Sequence, residues 1–138
     1  EILVDPANGT RINATARFEN SAALNGAGFR ASYLQEMHGM PGLACETVYR
    51  LASDGDGDVT MVWFPADGEP VVMKGVRSGA VITVSRTDEE GTTHTLVSDY
   101  SRMGVATISM TLSHGGSQPV TAFNGKYFRS DAEQGGVQ

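Results

Sequence analysis

Three carboxylates, Asp54, Asp56 and Asp58, stand at alternate positions of one short segment, and a calcium ion takes oxygen ligands of that kind. The rest of an EF-hand loop is missing: Val59 occupies the place of the obligatory glycine and Pro65 that of the closing glutamate. The segment therefore reads as an acidic, solvated turn, and Glu46 or Glu69 would complete a site only through a tertiary coincidence. His38, His94 and His114 are far apart and share no His-x-His or Glu-x-x-His spacing, so zinc is not indicated. Neither a metal nor a cofactor is expected. Glu36 and His38, two positions apart on one strand face, could act as an acid and base pair, although a rim position beside Met40-Pro41-Gly42 explains them more simply. No Gly-x-Ser-x-Gly elbow and no Cys and His constellation is present, which counts against an acyl-transferring hydrolase. Gly26-Ala27-Gly28 and Gly115-Gly116 lack the strand-to-helix context of a phosphate-binding loop and read as turns.

The most promising constellation is apolar. Phe29, Tyr33, Met37, Tyr49, Trp63 and Met73 fall on positions expected to point inward from adjacent strands, where they could wall a pocket whose polar groups, Gln35, Thr47 and His94, orient a ligand. The same residues at alternate positions would also make an ordinary packed core. Tyr127 and Arg129 share a face and could hold a carboxylate, or simply end a strand in solvent. The one cysteine, Cys45, can form no disulfide within the chain and sits among apolar neighbours, so a buried, inert thiol is expected.

Strands must position all of these. Short apolar or alternating runs recur about every ten to twelve residues between Gly, Asp, Ser and Asn clusters, the spacing of a sandwich or barrel. The first, near Thr10 to Glu19, alternates cleanly, with Ile12, Ala14, Ala16 and Phe18 on one face. Further strands are expected at Phe29 to His38, Leu43 to Leu51, Val59 to Phe64, Val71 to Val76, Ala80 to Arg86, Thr92 to Asp99, Val105 to Leu112 and Val120 to Arg129. Short links favour an antiparallel up-and-down meander, and eight to ten such strands remove their exposed edges by closing into a β-barrel. The barrel domain is expected over residues 1–129, with a flexible tail over 130–138. Val59 to Phe64 and Val71 to Val76 are apolar on both faces, so a second subunit covering them is a further expectation.

A chain of 138 residues suffices for one hydrophobic core. The 17 glycines suit a fold of many turns. A net charge of −6, with only two lysines and eight scattered arginines, argues against a nucleic-acid partner. No apolar run approaches the roughly 20 residues of a membrane-spanning helix. The chain begins at Glu1 without a charged-then-apolar leader, as a processed or trimmed product would, and its compartment stays open.

Several segments resemble a group of bacterial proteins of unknown function with a lipocalin-like, or calycin-like, β-barrel. These are Leu24-Asn25-Gly26-Ala27-Gly28-Phe29, Met37-His38-Gly39-Met40-Pro41-Gly42, Trp63-Phe64 followed by Asp67-Gly68-Glu69-Pro70, Gly75, and Tyr127-Phe128-Arg129. The family's opening strand, with Gly-x-Trp near its start, has no counterpart, since Glu1 to Thr10 holds no tryptophan. The resemblance implies a barrel with an internal ligand site and carries over no catalytic residue. The leading functional expectation is a barrel that binds a small apolar molecule. The alternatives are a cyclase-like or isomerase-like barrel enzyme acting on an apolar substrate, with Glu36, His38, Tyr33 or Tyr49 as its polar groups, and an oligomeric interaction module.

Overall fold

Period-two alternation and glycine-rich turns yield strands throughout the computed structural model, which describes residues 2–5, 10–12, 15–37, 40–52 and 56–129, with side chains over 15–36, 44–52 and 56–129. In chain order these are β1 (Ile2–Asp5), β2 (Thr10–Ile12), β3 (Thr15–Ala23), β4 (Gly28–Met37), β5 (Met40–Leu51), β6 (Gly57–Phe64), β7 (Val71–Ser78), β8 (Val81–Thr87), β9 (Thr92–Arg102), β10 (Val105–His114) and β11 (Val120–Phe128). A 3₁₀ turn at Leu24–Gly26 joins β3 to β4. The last eight match the strands expected from the sequence to within a few residues at each end. The run from Thr10 to Glu19 is divided instead, because β2 bonds to β1 whereas β3 bonds to β4. His38, Asp54 and the tail over 130–138 lie outside the described residues, as do the side chains of Met37 and Met40.

All strands join one sheet in the order β2-β1-β11-β10-β9-β8-β7-β6-β5-β4-β3. Every pair is antiparallel, and β3 through β11 wrap up and down into a nearly closed barrel. Because each neighbour reverses direction, β3 and β11, the strands flanking the unclosed seam, run the same way.

The register assigns the interior. Phe29 lies opposite Tyr49, Tyr49 opposite Met61 and Met61 opposite Met73, so one row of the inner face is continuous across four strands. Tyr49, Val59, Met61, Met73, Ile82 and Val84 form the buried cluster, with Phe29, Ala31, Leu51, Trp63, Val71 and Leu96 packed against it. Each fully buried Val or Met contributes about 1.5–3 kcal/mol by leaving water. Gly75 allows a close approach: a Cβ there would lie 1.8 Å from the Thr83 carbonyl oxygen, so no other residue fits where β7 meets β8. The outward valines of β7, Val72 and Val76, are about half exposed. No helix of the described residues is long and apolar enough to cross a membrane.

A lateral cleft at the barrel seam as candidate functional site

Hydrogen bonding around the barrel ends at β3, the last strand of the order. On the other side of the seam, β1 meets β11 at the pair Ile2 and Phe123, and among the described residues no strand bonds to the outer side of Gly125 to Phe128. A cleft of about 1130 Å³ lies there, between Ala16–Asn20 of β3 and the ends of β9, β10 and β11.

Its lining has two tiers. Ala16, Phe18 and Asn20 lie opposite Gln35, Tyr33 and Ala31 and so belong to the inner face, and they meet Tyr100, Ala106 and Tyr127 to make the floor. Side chains hold this floor together in place of backbone bonds. The Phe18 and Tyr127 rings pack edge to face at 4.8 Å, and Tyr33 meets Phe123 at 6.4 Å, contacts worth roughly 0.5–1.5 kcal/mol each beyond area burial. Arg17, Glu19, Lys126, Phe128 and Arg129 line the outer tier from the walls, with the β9–β10 turn of Arg102, Met103 and Gly104 at one end. Met103 is 97% exposed and Phe128 69%, and the Lys126 ammonium stands 5.6 Å from the centre of the Phe128 ring.

Phenols cross the interior. Tyr33 donates to Gln35 Oε1 at 2.7 Å and is also hydrogen-bonded to the Tyr127 hydroxyl. Tyr49 is paired with Ser98, which is itself 2% exposed, and Tyr100 with Asn20. Burial pushes the Tyr33 phenol far above its ordinary value, the Tyr127 bond adding to the rise. It pushes Tyr49 up to about 12, with the Ser98 bond acting the other way. Tyr100 and Tyr127 are raised by burial too, so all four remain neutral hydrogen-bonding groups in ordinary buffer.

A smaller opening of about 310 Å³ lies at one end of the barrel, lined by Phe29, Leu51, Arg77, Ile82 and others, and shares Asn20 and Tyr100 with the cleft. The hydrogen-bonded Asn20 and Tyr100 pair is thus the partition between the two spaces.

Of the ligand-site residues expected from the sequence, Phe29 lines the end opening, while Tyr49 and Met73 are core, 5% and 2% exposed. Phe29 and Tyr49 stack at 4.5 Å, and with Tyr49 spanning to Ser98 that part of the interior is filled by side chains. Thr47 and Trp63 are opposite one another on β5 and β6, Trp63 bonding the Cys45 sulfur, whose thiol burial pushes up. Tyr33 and Gln35 sit behind the cleft floor through Tyr127. His94 is tied to the β8–β9 turn by Asp88, 3.0 Å away. The hydrogen bond from His94 and those from backbone N–H groups hold the Asp88 carboxyl below its ordinary range. Glu36 is exposed, adjacent to the buried Gln35. Asp56 accepts from the Gly79 N–H at 2.6 Å, and among the described residues no group of three His, Cys, Asp or Glu could hold a metal ion.

Alternation placed Phe18 on an inner face and marked Tyr127 and Arg129, all of which line the cleft, but it did not single out Tyr100, Asn20 or the rim cations Arg17, Arg102 and Lys126. Tyr100 falls one residue beyond the expected end of its strand at Asp99, at an irregularity of β9 and β10 register; the signal that would have found it is that Tyr33, Tyr49, Tyr100 and Tyr127 all line the interior. In comparisons with known proteins, no family model, no curated protein and no solved structure matches this chain.

Proposed function

We propose that this protein binds a small, largely apolar molecule, which enters the barrel sideways through the cleft between β3 and β11, and that its kinship lies with lipocalin-like barrels. The single observation that carries the reading is an opening of about 1130 Å³ with Phe18, Tyr100 and Tyr127 in its floor. Ligand pockets typically hold about 300–1,000 Å³, with apolar walls and a few placed polar groups. Tyr100, Asn20 and the Tyr127 hydroxyl are such groups. Among the described residues no backbone bond joins β3 to β11, so the seam there widens at the cost of side-chain contacts, which suits a molecule that must pass between strands.

Titration with a fluorescent fatty acid or a retinoid-like probe tests this. Saturable binding is expected, and Ala16→Trp, which fills the floor without removing a side chain that holds the seam, is expected to weaken it at least about tenfold, or 1.4 kcal/mol. Absence of saturable binding, or a variant that binds as well as the parent, overturns the reading.

A further inference from the structure

We infer that the molecule taken by the cleft is an amphiphilic anion, an apolar body carrying one anionic headgroup, with the headgroup held on the outer tier by Arg17, Arg102, Lys126 and Arg129; this rests on the binding reading above. The chain carries a net charge of −6 and only ten Lys and Arg, yet four of those ten line this one opening, where the described residues supply a single carboxylate, Glu19. All four are exposed, and among the described residues none of them is ion-paired. The ion pairs made among the described residues lie elsewhere: Arg30 with Glu46 at 3.3 Å and His94 with Asp88. Among the described residues, Glu19 is thus the only carboxylate beside these four cations in the cleft lining.

Position matters as much as charge. Arg17 comes from β3 and Lys126 from β11, on opposite walls, while Arg102 and Arg129 close the end beside the β9–β10 turn. An anion between the walls meets cations from several sides, and guanidinium groups give two-pronged hydrogen bonds to carboxylate or phosphate. Directly below lie Phe18, Tyr100 and Tyr127, and the exposed Phe128 ring sits beside Lys126. Cationic rim over aromatic floor fits a headgroup outside and an apolar body inside, the order that leaves no charge buried. Carboxylate and phosphate headgroups share this chemistry.

Three probes of equal chain length, dodecanoate, dodecyl phosphate and dodecanol, separate the possibilities when titrated into the full chain below their micelle concentrations. At least one anion is expected to bind about tenfold or more tighter than the alcohol, the difference shrinking as salt is raised. Which of the two anions gains more distinguishes the headgroup. Arg17→Gln with Lys126→Gln is expected to bring the anions down to the affinity of dodecanol, and Glu19→Gln to raise them; unchanged thermal melting establishes that the variants are folded. Dodecanol binding as tightly as both anions overturns the anion inference and leaves apolar binding standing. No binding by any probe overturns both. Association with anionic lipid vesicles but not with the single-chain anions also overturns it, the rim then being a membrane-facing surface.

Discussion

At the scale of the residue, the tyrosines organise this interior. Each buried phenol has found a partner, Gln35 and Tyr127 for Tyr33, Ser98 for Tyr49 and Asn20 for Tyr100, and no buried side-chain nitrogen or oxygen among the described residues lacks one. A phenol whose folded pKa is raised favours the neutral form in the fold. Its contribution is fully present below the unfolded value of 10.0 and is lost as pH climbs through the folded value, about 12 for Tyr49. Stability followed by urea denaturation is accordingly expected to fall between pH 10 and 12, with tyrosinate absorbance rising in step; Tyr49→Phe should flatten part of that fall while costing roughly 1–3 kcal/mol at neutral pH, because Ser98 is left buried without its partner. Unchanged stability across that interval would refute the account of these groups. Tyr33 and Tyr49 were legible from alternation, since a β-strand sends every second side chain to one face. Their roles were not, because whether an inward aromatic ring lines a pocket or fills the core depends on what crosses the barrel from the far wall.

At the scale of the element, strands were the most legible feature. Asp-Gly, Ser-Gly and Gly-Gly pairs mark turns through backbone chemistry that is local to them, so the strands from β4 to β11 could be placed from sequence. The seam could not. Closure is decided by which edges meet after nine strands have curled, and at the chain's start β2 and β3 take different partners within a few residues; no local pattern encodes that. Gly75 is a strand interior position with little latitude, facing the Thr83 carbonyl at a distance no Cβ tolerates. Gly75→Ala is expected to separate β7 from β8 and cost about 2–4 kcal/mol, read as a lower urea midpoint, whereas Gly116→Ala, where an added Cβ meets nothing within 4 Å, should leave the midpoint near that of the parent. Equal midpoints would contradict the close packing of β7 on β8.

Across the whole molecule, the two halves of the barrel differ in how they are held. From β5 to β9 the wall is continuous and its inner face is packed with Met61, Val59, Met73 and Val84, each no more than 2% exposed. At β3 and β11 the bridges among the described residues are side-chain ones, aromatic contacts, a phenol pair and the Asn20–Tyr100 hydrogen bond. An acidic protein thus concentrates cations and open volume at the one place where its barrel is least bonded. Backbone amide chemical shifts recorded by NMR during a titration with dodecanoate test this most directly. Changes are expected only at residues 15–20, 100–106 and 125–129, with those of Met61, Met73 and Val84 staying still. Changes centred on that packed cluster, or spread over the outer face around Val72 and Val76, would contradict it.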